Sequence, residues 1–238
     1  MTSKVIEAKD ISVSIEGNKI LENITFSVDR GAVTAIIGPN GSGKTTLLRT
    51  LIGLLPFQPG GRIVVLGKKP RESRPKVGYV PQRFTFDRSF PITVREFLRF
   101  SCPGCDELKL KKYLSHFQMD EKENDQLGNL SGGQLQRVLI VRELIRDPLI
   151  LYLDEPASGI DVSGEMNFYD IIRHISGDHG TTVVMVSHEM DIVYQFATQV
   201  LCLNKTLCCA GLPSKVLTSD VLEKLYGKDV ALYRHAKK

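Results

Sequence analysis

The segment Gly38-Pro-Asn-Gly-Ser-Gly-Lys-Thr45 matches the pattern G-x-x-x-x-G-K-[ST]. In this pattern glycines let successive backbone N–H groups turn towards phosphate oxygens at the start of a helix. The preceding run, Ala32-Val-Thr-Ala-Ile-Ile37, is short, apolar and rich in β-branched residues, as is typical of a strand buried on both faces of a parallel sheet. The order of strand, loop and helix is the context that the motif requires. The sequence therefore predicts an α/β fold that binds a nucleoside triphosphate.

The polar residues of this phosphate loop have separate predicted tasks. Lys44 would reach the terminal phosphates, and the hydroxyl of Thr45 would hold Mg²⁺. Kinases and GTPases share the motif, so alone it predicts nucleotide binding and no particular reaction. The candidate nucleotide-binding residues here are Gly38, Pro39, Asn40, Gly41, Ser42, Gly43, Lys44, Thr45 and Thr46.

A second apolar run, Leu149-Ile-Leu-Tyr-Leu153, ends in two carboxylates. From the end of a strand, Asp154 could orient Mg²⁺ through its water shell, which makes it a second candidate metal ligand. Glu155 comes next, and a carboxylate beside the metal can align the attacking water and accept its proton. We therefore predict Glu155 as the general base. The alternative is an acidic pair that only caps or solvates the strand end.

Composition and charge restrict the class of protein. A hydrophobic fraction of 42% and a charged fraction of 24% are those of an ordinary soluble globular protein. The net charge of +4 is modest and its Lys and Arg residues are scattered, so we predict no nucleic-acid partner. The denser basic stretches, 68–76 and 234–238, are interpreted as solvated surface. Charges near the N-terminus and the lack of a long apolar run predict a protein that stays in the cytoplasm.

The five cysteines are an odd number, which together with the absence of a secretory signal predicts reduced thiols and no disulfide framework. Cys102-Pro-Gly-Cys105 has a spacing found in metal and redox sites. It lacks a second such pair or a nearby pair of histidines, so ordinary free thiols are the favoured interpretation. A structural metal site or a redox switch stays open as the alternative.

The pattern along the chain predicts one domain, 1–238, with an insertion. Partial alternation around Gly17-Asn18 predicts antiparallel strands at the N-terminus. After Gln82 the spacing of apolar residues becomes helical, which predicts an inserted helical lobe at 83–146. The α/β core would comprise 1–82 and 147–238. Further elements expected in that core are strands at 62–66, 77–80 and 182–186, a helix at about 162–175, and two short strands at 200–210 followed by helices to about 227.

The segment Leu130-Ser-Gly-Gly-Gln134 precedes a helical pattern, so Ser131 is placed to cap a helix. A serine and two glycines at a helix start form a second anion-binding N-terminus. Alone, this segment could be a simple cap. Together with the phosphate loop, the acidic pair and His188, in that order, it resembles the nucleotide-binding subunit of ATP-binding cassette (ABC) transporters over nearly the whole chain.

The resemblance implies an ATPase whose sites form between two copies. In the family, the signature loop of one subunit closes over the γ-phosphate of ATP held by the other, so Ser131, Gly132, Gly133 and Gln134 would bind nucleotide across the dimer. It also implies a loop at 158–161 that crosses the dimer interface, with Asp161 at the nucleotide. Gln82 would approach Mg²⁺ and the attacking water, and His188 would be the switch histidine at the γ-phosphate. The implied catalytic residues are Glu155, His188 and Gln82, and the implied Mg²⁺ ligands are Thr45, Gln82 and Asp154.

Ile15 departs from the family pattern. Family members commonly carry an aromatic residue here that stacks on adenine, and Ile15 offers apolar surface but no π-face. Base–aromatic stacking contributes about 1–3 kcal/mol. We therefore predict weaker nucleotide binding and less adenine selectivity than is usual in the family, unless a Tyr or Phe from elsewhere supplies the ring.

The segments 80–83 and 90–94, and parts of the C-terminal region, resemble importers of zinc, manganese or ferrous iron. The resemblance implies a homodimer, or a dimer with a related cassette, on the cytoplasmic face of the membrane. Its partners would be permease subunits, docked near 82–93, and indirectly a substrate-binding protein. Haem, iron-siderophore complexes and other small solutes are alternative cargoes. A soluble ABC ATPase acting on nucleic acid or ribosomes and a P-loop kinase are the alternatives of another class.

Overall fold

The computed structural model describes residues 4–156, 172–173, 175–177 and 180–227. The chain forms two compact units, Met1–Glu72 with Val186–Lys238 and Ser73–Met185. Several sequence predictions fall outside the described residues: Asp161 with its loop 158–161, the basic end 234–238, and most of the helix expected at 162–175. Residues 172–173 and 175–177 are helical.

The elements follow the order expected of an α/β chain. The strands are β1 Lys4–Ile15, β2 Asn18–Asp29, β3 Val33–Ile37, β4 Arg62–Val65, β5 Val77–Val80, β6 Ile150–Asp154, β7 Thr182–Val186, β8 Gln199–Asn204 and β9 Thr206–Gly211. The helices are α1 Lys44–Leu51, α2 Pro70–Ser73, α3 Val94–Ser101, α4 Glu107–His116, α5 Gly132–Leu144, α6 Met190–Phe196, α7 Pro213–Val216 and α8 Ser219–Tyr226.

The first unit contains an antiparallel sheet in the order β2-β1-β4. Strands β1 and β2 form a hairpin in which Ile15 pairs with Asn18. The two residues between them, Glu16 and Gly17, have φ of 51° and 80°. Positive φ at both positions is the geometry of the two-residue turns that match the twist of a hairpin. The predicted N-terminal antiparallel strands are confirmed.

The same unit carries the strands that support the phosphate loop. Strand β3 pairs in parallel with β8, and β8 pairs antiparallel with β9. All five residues of β3 are buried, as the continuous apolar run predicted. The loop that follows β3 therefore starts from a rigid, fully packed strand.

In the second unit the strands lie in the order β5-β6-β7, with β5 parallel to β6. Helices α3 and α4 both pack on α5. Glu107 of α4 accepts hydrogen bonds from Arg95 and Arg99 of α3, which ties the two helices together. The predicted fold class, a P-loop α/β fold with a mixed and parallel sheet, an N-terminal antiparallel part and inserted helices, is confirmed; the lobe limits 83–146 stay a prediction. Among the described helices, none is long and apolar enough to span a bilayer.

The prediction of reduced thiols is wrong. Cys102 and Cys105 form one disulfide, and Cys202 and Cys209 form another, with Cα–Cα distances of 5.4 and 5.0 Å. Both separations lie in the range that a disulfide spans. Cys208 is exposed and free. An argument from cysteine number and compartment could not show which cysteines the fold brings together.

Candidate nucleotide site

The phosphate loop joins β3 to α1 in the predicted order. Gly41 and Gly43 have φ of 77° and 98°, in the left-handed region that favours glycine. Gly43 precedes α1, whose first turn contains no acidic side chain. The phosphate loop therefore ends at the N–H groups of the first turn of α1 and at the positive end of the helix dipole, both of which favour an anion. This is the anion-binding geometry that the motif predicted.

Lys44 folds its side chain over the loop that precedes it. Its Nζ donates hydrogen bonds to the carbonyl oxygens of Gly38 and Pro39, at 2.8 and 2.9 Å. The residue is only 6% exposed, and burial of an ammonium group costs free energy unless it is hydrogen-bonded. The cation is therefore held at a fixed place beside the loop.

Ser42 gives a direct test of whether the loop fits a phosphate. Its Oγ is buried and has no hydrogen-bond partner among the described residues. A buried polar atom without a partner costs about 1–3 kcal/mol. A phosphate oxygen would supply the missing partner, so the loop fits the ligand that its sequence predicts.

The β8–β9 hairpin contacts the loop through backbone atoms. The N–H of Lys205 donates to the carbonyl oxygen of Ser42 at 3.0 Å, and the N–H of Glu22 donates to the carbonyl oxygen of Lys205 at 2.9 Å. A Cβ atom on Gly38 would overlap the carbonyl oxygen of Leu203. Only glycine at position 38 allows this close approach of the two backbones.

Tyr226, the last residue of α8, also reaches the loop. Burial raises the pKa of Tyr226 to about 12, and the Gly38 backbone opposes that rise. The phenol is therefore neutral at physiological pH. Sequence reasoning missed Leu203, Lys205 and Tyr226, because no motif marks a residue that supports the loop through the backbone or from a C-terminal helix.

Two further predicted residues lie in the same unit. His188 lies two residues after the end of β7 and is exposed. Ile15 ends β1 with 40% of its surface exposed. An exposed aliphatic side chain at this place agrees with the expectation that Ile15 could cover a base with apolar surface.

In the second unit, β6 ends at Asp154, and Glu155 follows it directly. Asp154 is 1% exposed. Glu155 has φ of 51°, an uncommon conformation for a residue other than glycine. Gln82 Nε2 donates a hydrogen bond to Glu155 Oε2. The structure thus brings together two of the three predicted catalytic residues.

The predicted cap at Ser131 is present. The Ser131 Oγ accepts from the Gln134 N–H at 3.3 Å, and the Gln134 Oε1 accepts from the Ser131 N–H at 3.0 Å. This reciprocal capping box begins α5. Ser131 and Gly132 are exposed, and a Cβ on Gly132 would meet nothing within 4 Å. The helix start is therefore open to another molecule.

The segment after Gln82 contains an aromatic cluster. The ring of Phe84 lies 5.6 Å from that of Phe86 and 5.9 Å from that of Phe97. The Arg142 guanidinium lies 5.6 and 5.7 Å from the rings of Phe84 and Phe97. Its Nε also donates to Glu143 at 2.8 Å. These contacts fix the segment against α3 and α5.

The basic stretch that begins at Lys68 is exposed, as predicted for solvated surface. Lys68, Lys69 and Arg71 line a cavity of about 780 Å³ together with Arg62 and apolar residues that include Phe57 and Ile63. Arg71 packs its stem against Gly53, where a Cβ would lie 3.1 Å from the Arg71 Cγ. The cavity lies within the first unit and shares no residue with the phosphate loop.

Comparison with known proteins identifies the class. The chain matches the ABC transporter family over residues 21–158. Among solved structures, it is similar to CbiO1 of Clostridium perfringens, with a TM-score of 0.79 and 24% identity over 93% of each chain. It is equally similar in fold to the ADP conformation of an ATP-binding cassette, with a TM-score of 0.79 over 94% of this chain and 99% of that one. The chain belongs to the ABC transporter family and is an ATP-binding, ATP-hydrolysing member of it.

Its similarity to individual proteins extends over almost the full length. It is 37% identical to the zinc import ATP-binding protein ZnuC of Pseudomonas fluorescens, over 99% of this chain and 88% of that protein. It is 39% identical to a probable metal transport system ATP-binding protein of Thermotoga maritima, over 94% of this chain and 90% of that protein.

Proposed function

We propose that the chain is the ATP-hydrolysing subunit of a membrane importer for a divalent transition metal ion, with zinc as the first candidate and manganese or ferrous iron next. The observation that carries the cargo assignment is the full-length similarity to a zinc import ATP-binding protein. Haem or iron-siderophore complexes are the competing cargo. The subunit would lie on the cytoplasmic face of the membrane as a peripheral protein.

The phosphate loop would bind the ATP phosphates. The N–H groups at the start of α1, Lys44 Nζ and the buried Ser42 Oγ supply hydrogen-bond donors and positive charge. Lys44 is held on the carbonyl oxygens of Gly38 and Pro39, so its ammonium needs little reorganisation to meet a phosphate. Preorganised donors cost little entropy on binding.

Thr45, Gln82 and Asp154 would hold Mg²⁺. Hydroxyl, amide and carboxylate oxygens are the hard donors that this ion prefers. The ion would supply charge neutralisation on the phosphate oxygens. The position of Asp154 supports this role, because it is the last residue of β6, and from a strand end a carboxylate can orient the ion through its water shell.

Glu155 would accept the proton of the attacking water, and His188 would contact the γ-phosphate. Gln82 holds the Glu155 carboxylate through its amide N–H, which would keep that carboxylate in place to orient a water. The left-handed backbone of Glu155 turns its side chain away from the regular direction of a strand.

The signature loop of each copy would complete the site of a second copy in a head-to-tail dimer that holds two ATP molecules. Ser131 forms its hydrogen bonds with Gln134, and within the described chain it forms none with Gln82 or Glu155. The open helix start at Gly132 can therefore accept an anion from outside its own unit. ATP drives closure only because it binds the closed dimer better than the open one.

The permease would dock near residues 82–93. This segment begins at Gln82, beside the Glu155 carboxylate, and continues through Phe84 to the exposed Phe90. A contact here would couple the permease to the hydrolytic residues. A substrate-binding protein would deliver the ion to the permease and have no contact with this chain.

The decisive experiment is purification of the tagged protein from gently solubilised native membranes, followed by reconstitution of whatever co-purifies into vesicles. ATP-dependent uptake of zinc by a complex with a multispanning subunit supports the proposal. Uptake of haem or a siderophore complex without zinc would replace the cargo. Recovery only with nucleic acid or ribosomes would overturn the transporter assignment.

A further inference from the structure

The β8–β9 hairpin joins a disulfide to the phosphate loop. Cys202 and Cys209 are direct partners in the antiparallel pair and are bonded through sulfur. Leu203, the residue after Cys202, places its carbonyl oxygen against Gly38. The disulfide is therefore one residue from a backbone contact with the nucleotide-binding loop.

The hairpin turn contributes a second contact. Lys205 has φ of 59° and donates its N–H to the carbonyl oxygen of Ser42 at 3.0 Å. Its carbonyl oxygen accepts from Glu22 of β2 at 2.9 Å. The position of this turn thus affects the position of Ser42 in the phosphate loop. The buried Oγ of Ser42 has no hydrogen-bond partner among the described residues. A covalent bond between β8 and β9 restricts the motions that would shift the turn.

The two cysteines differ in exposure. Cys202 is 0% exposed, whereas Cys209 is partly exposed and its neighbour Cys208 is exposed. A dissolved thiol can therefore approach the pair from the Cys209 side. Attack on the accessible sulfur is the requirement for thiol–disulfide exchange.

We propose that Cys202–Cys209 is a reversible redox modification site that controls nucleotide binding by the phosphate loop. The inference rests on the proposed function in one respect, the placement on the cytoplasmic face, where thiols are kept reduced and a disulfide is transient or redox-sensing. The oxidised hairpin holds Leu203 and Lys205 against the loop and favours ATP binding. The reduced hairpin is looser and binds ATP more weakly.

The exchange balances with a small thiol of the glutathione class. A thiolate attacks the Cys209 sulfur, forms a mixed disulfide and releases Cys202, which takes up a proton. A second thiol then attacks the mixed disulfide, releases the Cys209 thiol and leaves as the oxidised small disulfide. Oxidation is the reverse sequence, in which the small disulfide accepts two electrons and becomes two thiols.

The test compares ATP affinity of the full-length protein after incubation with oxidised glutathione or with dithiothreitol, while alkylation and mass spectrometry verify the state of Cys202 and Cys209. We expect the oxidised protein to bind ATP roughly fivefold more tightly, the lower end of coupling between linked sites. The variant C209S should lose the response and match the reduced protein. The matched control is C102S/C105S, which removes the other disulfide and should keep the response.

Equal affinities of the verified oxidised and reduced proteins would overturn the inference, as would a response that persists in C209S or failure of the disulfide to form with oxidised glutathione. A measurement of zinc uptake tests the proposed importer function independently of this redox result. A redox response in a protein that supports no metal uptake leaves the inference intact and rejects the importer. Metal uptake by a protein whose ATP binding does not respond to the redox state supports the importer and rejects the inference.

Discussion

Gln82 Nε2 donates a hydrogen bond to Glu155 Oε2, so the residue that begins the segment after β5 directly contacts the proposed general base. This hydrogen bond fixes the orientation of the carboxylate that would accept a proton from the attacking water. A shift of the segment that contains Gln82 would therefore also shift the Glu155 carboxylate or break its hydrogen bond. Movement of residues 82–93 by a bound partner would change this contact.

Replacing Glu155 by Gln should lower ATP hydrolysis by about 10²–10⁴-fold, the contribution of a positioned general base. The amide keeps the shape of the side chain but cannot take up the proton, so ATP binding should persist and trap a closed dimer. Phosphate release measures the first effect, and size-exclusion chromatography with ATP and Mg²⁺ measures the second. Asp147→Asn, at an exposed carboxylate of the same unit, should hydrolyse ATP normally. A protein that stays monomeric at saturating ATP would contradict this account.

Replacing Lys44 by Ala should strongly weaken ATP binding. The change removes a cation and two hydrogen bonds to the carbonyl oxygens of Gly38 and Pro39. Charge-assisted hydrogen bonds to phosphate are strong, so we expect a loss of about 2 kcal/mol or more, roughly 30-fold in Kd. Calorimetric titration with ATP is the measurement. Lys19→Ala, at an exposed lysine, is the control, and equal affinity of the two variants would reject the role of Lys44.

The sequence predicts the phosphate loop and the helix cap at Ser131 well because each motif specifies its own local backbone conformation. Glycines at 41 and 43 and a serine three residues before Gln134 specify local conformations that need little from the rest of the chain. The buried strands β3, β6 and β7 are predicted for a similar reason, since continuous apolar runs have few other places in an α/β fold.

The contacts that support the loop could not be predicted. Leu203 and Lys205 act through backbone atoms and lie some 160 residues along the chain from Gly38, so neither residue type nor spacing marks them. The sequence alone also could not show that Cys209 is the disulfide partner of Cys202, because the pairing depends on the register of two strands. Leu203 pairs with Leu207, and regular pairing would place Cys202 opposite Cys208, but a bulge between Cys202 and Leu203 moves Cys209 into that position.

Replacing Ile15 by Tyr should tighten ATP binding. Ile15 is exposed at the end of β1, and an aromatic ring there could stack on adenine for about 1–3 kcal/mol. Titration with ATP and GTP would show both affinity and base selectivity. Leu54→Tyr places a ring at another exposed site in the same unit and should change neither. Unchanged affinity for Ile15→Tyr would show that another side chain covers the base.

Glu107 predicts a pH dependence of stability. Desolvation raises the pKa of Glu107, but hydrogen bonds and charge from Arg99 and Arg95 outweigh it and hold the pKa below its usual value of 4.5. A depressed folded-state pKa stabilises the protein above the unfolded pKa, and this stabilisation is lost as the pH falls through the folded value. Glu107→Gln should therefore be less stable than the parent protein at pH 7, and the difference should be smaller at a pH below 4.5, such as about pH 3. Urea unfolding at both values checks this, and a constant difference would contradict it.

Replacing Gly132 by Ala separates the proposed role of the signature loop from its role in folding. A Cβ at Gly132 meets nothing within 4 Å, and alanine is favoured over glycine in a helix by up to about 1 kcal/mol, so the Tm should be unchanged or higher. The added methyl group nevertheless lies where the partner's γ-phosphate is proposed to bind, and displacement of the reacting groups by about 1 Å can cost 10²-fold in rate. We therefore expect ATP hydrolysis to fall by up to about 10²-fold while ATP affinity of the isolated subunit is retained. Gly177→Ala, which also adds its methyl group in open space, should keep full activity. Full activity of Gly132→Ala would show that this helix start does not face a nucleotide.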